Sequence, residues 1–209
     1  MKLQNMLTKV LTRGMRGVVV AGVASVFFAS SPVLAKGGGS GIVTALNLYY
    51  ATQEVTQELT PAAATTTKGA ETSIDLNIGY GMSNGLYLGF LYGLDNYSTT
   101  TAGVTTTPAY SGYGPSVGYM APNGLFVIGS YLLSASYEKL NTAGAKWTKG
   151  SGIQADFGYQ MNVAGNFSVG VLMTYRTVSY TNFNDGTTDA AYKYTTTQMY
   201  PQIRLGFMF

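Results

Sequence analysis

Ser73-Ile74-Asp75-Leu76-Asn77-Ile78-Gly79-Tyr80-Gly81-Met82 alternates without a slip. Ile74, Leu76, Ile78, Tyr80 and Met82 share one parity, while Ser73, Asp75, Asn77, Gly79 and Gly81 share the other. Successive side chains of a strand leave on opposite faces, so this segment reads as a β-strand with one oily and one polar face. Similar stretches lie at about 41–53, 71–82, 86–97, 110–120, 125–138, 148–161, 167–180 and 192–209. Leu86, Leu88, Phe90, Tyr92 and Leu94 oppose Tyr87, Gly89, Leu91 and Gly93; Ile153, Ala155, Phe157, Tyr159 and Met161 oppose Gln154, Asp156, Gly158 and Gln160. Phe167, Val169, Val171, Met173 and Tyr175 oppose Ser168, Gly170, Leu172, Thr174 and Arg176.

The connections alternate in length. Ser83-Asn84-Gly85, Ala121-Pro122-Asn123-Gly124 and Asn162 to Asn166 are short and carry the Gly and Asn that tight turns need. Longer links fall near 54–70, 98–109, 139–147 and 181–191. Eight strands joined short, long, short, long predict an all-β fold, an eight-stranded antiparallel up-and-down transmembrane β-barrel. Its oily face would meet lipid and its polar face the lumen. An even strand number puts both termini on one side, the periplasmic one, with the long links outside.

The first 35 residues read differently. Lys2, Lys9, Arg13 and Arg16 make a basic start, Val18 to Ala29 is apolar, Pro32 breaks the run, and Val33-Leu34-Ala35 suits cleavage. This is the layout of a cleavable secretory signal peptide over 1–35, and the run falls short of the roughly 20 residues of a spanning helix. The barrel domain is then 36–209. The whole chain has 12 Lys+Arg against 9 Asp+Glu, but four of the basic residues lie in the signal, leaving 8 against 9. The basic balance therefore belongs to the export segment, and no electrostatic case for nucleic acid remains. With no Cys, stability rests on strand pairing and packing.

Aromatic rings near both membrane surfaces are expected of such a barrel, because they tolerate one apolar and one wet side. Threading the strands up and down puts Tyr80, Tyr119, Tyr159, Phe167, Phe207 and Phe209 near the periplasmic rim. Tyr50, Tyr92, Tyr113, Tyr137, Trp147 and Tyr175 fall near the outer rim, all on the apolar parity.

The chain ends Gln202-Ile203-Arg204-Leu205-Gly206-Phe207-Met208-Phe209. With the export signal, the eight alternating strands and the link lengths, this ending resembles the small outer-membrane β-barrel proteins of the OmpA, OmpX and OmpW type. The resemblance covers the whole mature chain as architecture rather than as close identity. It implies residence in the bacterial outer membrane, contact with its lipid and lipopolysaccharide, and recognition by the barrel-assembly machinery through Leu205, Phe207 and Phe209. Because the sequence stops at the last strand, no peptidoglycan-binding domain of the longer OmpA-like kind is expected.

The absence of His and Cys excludes Ser-His-Asp, Cys-His and His-based metal chemistry. Neither catalysis nor a cofactor nor a metal is expected. Asn182-Phe183-Asn184-Asp185-Gly186 superficially suggests a calcium loop, but setting Gly186 at the sixth position puts Thr181 and Phe183 where acidic ligands belong. It reads as a turn.

The polar parity carries Asp75, Asn77, Gln154, Asp156, Arg176 and Arg204, with Asn47, Gln160 and Gln202. Buried charges are costly unless paired, so mutual neutralisation is expected: Asp156 with Arg204 at similar depth, and Asp75 with Arg176 more loosely. Two readings follow, a salt-bridge network filling the lumen or a polar constriction for small solutes. An eight-stranded barrel is barely wide enough for its own side chains, which favours the plug. Inward Gly79, Gly89, Gly93, Gly114, Gly118, Gly158, Gly170 and Gly206 would let large neighbours fit, or would leave a passage. Pro115 and Pro201 are expected at bulges near the outer rim. Thr65-Thr66-Thr67, Thr99-Thr100-Thr101 and Thr105-Thr106-Thr107 make the long links Thr-rich. Thr has high β-propensity, so these links can extend the hairpins, as solvated loops or as a surface that holds an extracellular ligand. The function expected is a structural or surface-interaction role. The alternatives are a narrow channel or transporter for small or hydrophobic molecules, and a soluble β-barrel or sandwich with its oily parity inward.

Overall fold

The computed structural model describes residues 40–57, 65–101, 104–106, 109–138 and 145–209, without the side chains of 52–57, 65–69, 97–101 and 104–106. The proposed signal peptide, 1–35, lies outside the described residues. Eight long strands form one closed antiparallel barrel: β1 (Gly41–Gln57), β2 (Thr65–Gly81), β3 (Leu86–Thr101), β4 (Ala109–Met120), β5 (Leu125–Glu138), β6 (Lys146–Ala164), β7 (Phe167–Tyr180) and β8 (Tyr194–Met208). Each pairs with its chain neighbours, and β8 returns to β1. No described helix is long and apolar enough to cross a membrane, a statement that does not bear on strands.

The tight turns use the chemistry their sequence suggests. Gly85 and Gly124 adopt φ of 88° and 91°, the left-handed conformation that closes a three-residue hairpin loop and that glycine adopts without strain. Asn84 Oδ1 accepts from the Leu86 amide at 3.1 Å and Asn123 Oδ1 from the Leu125 amide at 3.2 Å. The third short connection is narrower than expected, since β6 continues to Ala164 and β7 starts at Phe167.

At the opposite end the strands run further than the alternation indicated. β1 and β2 stay paired from Gly41↔Gly81 to Gln57↔Thr65, so Thr65-Thr66-Thr67 belongs to a strand rather than to a loop. Val104–Thr106 folds back on Thr99–Thr101. Seventeen-residue strands exceed the roughly 9–11 residues that a tilted strand needs to cross a bilayer, so the Thr-rich hairpins stand beyond the apolar belt. In the last link, Asn182–Asn184 pairs both with Asp189–Ala190 and with Lys146–Thr148 of β6. Asp185 ties its turn: Oδ1 accepts from the Thr188 amide at 2.7 Å and from the Thr187 amide and hydroxyl at 2.8 Å. These donors, the backbone amides first, hold its carboxyl below the ordinary value.

Two irregularities re-aim side chains. The β5–β6 register shifts between Leu132 and Ala135 and again between Ala135 and Tyr137. A bulge inserts one residue and flips the parity beyond it. Leu132 and Ala135 are both buried while Leu133 is exposed, and on β6 the second shift passes through Lys149, whose φ is 52°. Tyr137 and Trp147 therefore turn inward and pack on Leu91, Tyr110, Leu132, Ala135, Val178 and Tyr180. The expected outward, girdle placement of these two rings is corrected by that flip. Pro115 lies inside the β4–β5 shift between Tyr113 and Ser116. Pro201 does not mark a bulge; it is in regular register with Met173.

The closing seam is short. β1 and β8 pair from Val43↔Met208 to Leu48↔Ile203, with Ile42 and Phe209 exchanging backbone hydrogen bonds below, and toward the long links both strands continue for most of their length without this pairing. Pro201, which lacks a ladder donor, stands two residues past the last pair.

Two outcomes are expected. A Cβ at Gly114 would run into the Tyr131 carbonyl oxygen, whereas one at Gly129 would meet only the Val117 carbonyl at 3.9 Å. Gly114→Ala should then destabilise the barrel by about 1–3 kcal/mol and Gly129→Ala by less than about 0.5 kcal/mol, measured by urea unfolding in lipid vesicles. For Asp185, carboxyl NMR should give a titration midpoint below the ordinary ~3.9. Because the folded value is the lower one, the turn's stabilisation is complete above the unfolded value and fades as pH falls toward the folded one. A midpoint at or above ~3.9 would remove this clamp from the account.

Candidate functional site: the charged lumen layer

The period-two alternation aims Asp75 (β2), Asp95 (β3), Gln154 and Asp156 (β6), Thr174 and Arg176 (β7) and Gln202 and Arg204 (β8) into the lumen, where all are buried. Arg176 is the centre. Its Nη2 donates to Asp75 Oδ1 at 2.7 Å, Nη1 to Asp95 Oδ2 at 2.6 Å and Nε to Gln154 Oε1 at 2.7 Å. The guanidinium also lies 4.6 Å from the centroid of the Tyr110 ring and 5.6 Å from that of Tyr200. At 1 % exposure an unpaired guanidinium would be prohibitively costly; two carboxylates, an amide and two ring faces replace its water.

Gln154 extends the network downward. Its Nε2 donates to Asp75 Oδ2 at 3.0 Å and to Asp156 Oδ1 at 3.1 Å. The Thr174 hydroxyl sits 2.8 Å from Asp156 Oδ1 and 2.7 Å from Gln202 Oε1, and Gln202 Nε2 reaches Asp75 Oδ2 at 3.2 Å. One connected layer thus spans the lumen from β2 and β3 to β6, β7 and β8.

The expected Asp75–Arg176 pair is present. The expected Asp156–Arg204 ion pair is not among the described contacts. Arg204 instead donates to Gln160 Oε1 at 3.0 Å and Asn47 Oδ1 at 3.1 Å, and lies 4.8 Å from the Phe126 ring centroid. Depth alone suggested the pairing, but Gln154 and Thr174 already engage Asp156. Asn77 is buried as expected, yet its amide finds no hydrogen-bond partner among the described residues. Asp95 was missed by sequence reasoning. It follows Leu94 on the inward parity of β3, so the alternation that placed Asp75 could have found it.

Apolar side chains fill the lumen on either side of this layer. Val43, Tyr87, Phe126, Ile128 and Leu172 pack toward the short-turn end, and the cluster that receives Tyr137 and Trp147 packs toward the other. The inward glycines serve these bulky neighbours: a Cβ at Gly79 would press on the Tyr87 ring at 2.6 Å, and one at Gly93 on Asp75 Oδ1 at 2.7 Å.

Above the charged layer, toward the long links, lies a cavity of about 390 Å³. Glu71, Asp95 and Tyr110 line one side, and Tyr137, Tyr180 and the Tyr194–Gln198 stretch of β8 line the other. Gln198 Nε2 approaches Glu71 Oε1 at 3.4 Å across the unpaired part of the seam.

On the outside, Tyr50, Tyr80, Tyr92, Tyr119 and Tyr175 are exposed, as are Phe207 and Phe209; Tyr159 and Leu205 are half-buried. Phe207 packs tilted on Phe167 and stacks with Phe209, at 4.8 and 6.3 Å between centroids. No group of three or more His, Cys, Asp or Glu among the described residues is arranged to hold a metal ion. The chain matches no protein-family model, and no curated protein matches it in sequence.

The layer's two arginines should respond unequally to removal. Arg176→Met leaves Asp75 and Asp95 buried without their cation and should cost about 3–5 kcal/mol. Arg204→Met removes hydrogen bonds to the Gln160 and Asn47 amides and breaks no direct ion pair, and should cost clearly less. Urea denaturation of both variants in lipid vesicles, read by tryptophan fluorescence, checks the order; equal losses would contradict it.

Proposed function

We propose that this chain is an integral bacterial outer-membrane β-barrel with a filled lumen, serving a structural or surface-interaction role through its long Thr-rich hairpins. One observation carries the reading: the barrel is apolar on the outside of every strand. Ile42, Leu76, Phe90, Val117, Val127, Phe157, Val171 and Ile203 sample all eight strands, each at 38–62 % exposure. Among the described side chains of the eight long strands, charge on the exposed face is confined to Glu138, Lys146 and Lys149, beside the long links. A soluble barrel rarely exposes a contiguous apolar patch beyond a few hundred Å², whereas lipid requires such a belt. This distribution counts against the soluble alternative.

The resemblance to the OmpA, OmpX and OmpW type supports the same reading, with the termini at the periplasmic side, outer-membrane lipid and lipopolysaccharide around the belt, and Leu205, Phe207 and Phe209 presented to the assembly machinery. A surface ligand would meet the long hairpins. No catalytic step is proposed. Conduction of small or hydrophobic molecules stays the second reading, favoured by the short β1–β8 seam and the cavity beside it.

Planar-bilayer recording tests the filled lumen. Protein that partitions into detergent or lipid and gives no steady single-channel steps is expected. Steps whose size changes in Arg176→Ala or Arg204→Ala would replace the plug by a pore, and protein that stays soluble without detergent would overturn the membrane reading itself.

A further inference from the structure

The hydrogen bonds at the foot of the seam fix which main-chain groups face it. The Ile42 amide donates to the Phe209 carbonyl at 3.0 Å and the Phe209 amide to the Ile42 carbonyl at 2.9 Å, whereas the Met208 amide donates to Asn166 on the β7 side. Backbone groups along a strand point to its two neighbours in turn. Odd-numbered residues of β8 therefore face β1, and even-numbered residues of β1 face β8. The register advances one residue at a time from Val43↔Met208 to Leu48↔Ile203 with no shift. Its next bonded pair would be Tyr50 with Pro201. Pro201 has no N–H, and its ring stands where that hydrogen would meet the Tyr50 carbonyl.

Above the seam both strands remain strands. β1 stays paired with β2 to Gln57↔Thr65, and β8 with β7 to Tyr194↔Tyr180. Tyr49–Gln57 and Tyr194–Gln202 hold no glycine, and Pro201 is the one residue of the two segments without a ladder donor; their threonines and tyrosines favour pairing. At Pro115 a register shift absorbs the missing donor and pairing resumes on both sides. At Pro201 no shift follows, and the β1–β8 pairing does not resume. The two edges nevertheless stay within side-chain reach. Tyr49 and Tyr200 lie 5.3 Å apart between ring centroids, and Gln198 approaches Glu71 of β2 at 3.4 Å. Outward along β8 the side chains change from Ile203 and Met199 to the exposed Thr197 and Thr195. The freed main-chain groups thus begin at the margin of the apolar belt, where water can take them.

We propose that Pro201 is a built-in stop that holds the outer half of the seam open, with β1 and β8 above it poised to zip in their existing register. The unzipped edge borders the cavity. Thr195, Thr196, Thr197 and Gln198 line it in succession, as a strand does where its main chain rather than one face meets the space. A residue with an N–H at position 201 would complete the Tyr50 pair, set Thr52 opposite Met199 and Glu54 opposite Thr197, and draw β1 over the β8 side of that cavity. The stop thereby decides whether the outer end of the barrel keeps an open side.

Amide hydrogen exchange by NMR, on the protein refolded in an uncharged detergent, reads the stop directly. In the unaltered chain, protection on β8 should alternate above the proline. Gln198 and Thr196, bonded to β7, should exchange about tenfold or more slowly relative to Met199 and Thr197, which face the gap. Below the proline, Ile203 and Leu205 should be as protected as Gln202 and Arg204. Pro201→Val should abolish the alternation, slowing Met199, Thr197 and, on β1, Thr52 by about tenfold or more. Pro201→Ala should act the same way and serves where the bulkier valine prevents folding; preserved protection at Ile203 marks an intact barrel. Met199 and Thr197 as protected as Gln198 in the unaltered chain would overturn the open seam. Folded variants that still alternate would overturn Pro201 as its cause. The readout uses neither membrane residence nor conduction, so its outcome is independent of the function proposed for the barrel.

Discussion

Eight strands close into a cylinder barely wider than the side chains that point into it, and most of what lies inside follows from that width. A guanidinium held there cannot keep its water. Arg176 must find acceptors from several strands at once, and it does so on β2, β3 and β6 together. The ion pairs therefore brace strands that are not sheet neighbours. The same width demands glycine wherever a tyrosine or arginine crosses the axis, which is why Gly89 faces Tyr87 and Gly93 faces Asp75. A plug of this kind is a weak source of net stability, since desolvation offsets much of the Coulomb attraction. What it contributes is a fixed registry across the lumen and a layer that occupies the space a solute would need.

The outer surface and the lumen obey one rule read on opposite parities. Side chains at i, i+2 and i+4 share a face, so apolar residues on one parity and polar or small ones on the other suffice to set every strand's orientation. This is why the strand positions, the antiparallel order and the inward set from Asp75 to Arg204 were legible in the sequence. Parity is a local property, however, and a single inserted residue reverses it. The bulges near Leu133 and Lys149 carry no hydrophobic signature, and beyond them Tyr137 and Trp147 exchange outside for inside. The partners of Arg204 were illegible for another reason. Depth along a strand gives height, but in a barrel eight residues share each height, and only the stagger of the strands decides which two side chains meet. Asp156 was within the right layer and was taken by Gln154 and Thr174.

The extended hairpins follow from the turn chemistry rather than from the alternation. At the short end, Asn84-Gly85 and Asn123-Gly124 supply the left-handed residue that reverses the chain at once. At the long end, threonine takes over. It has no turn preference comparable to glycine but pairs well in strands, so the ladder continues past the apolar belt instead of stopping at it. A β-ribbon standing clear of the belt can vary in sequence without disturbing the barrel beneath.

The seam sets the limit of the plug's authority. Below Leu48 and Ile203 the barrel is held by the β1–β8 ladder. Above them, where the ladder is missing, side chains take over: Gln202 reaches Asp75, Tyr49 lies 5.3 Å from Tyr200 between ring centroids, and Gln198 approaches Glu71. Here the gap borders the tyrosine-walled cavity, and it gives that cavity a side on β8 that a fully zipped barrel would have covered. The charged layer closes the floor and the unzipped seam opens the wall.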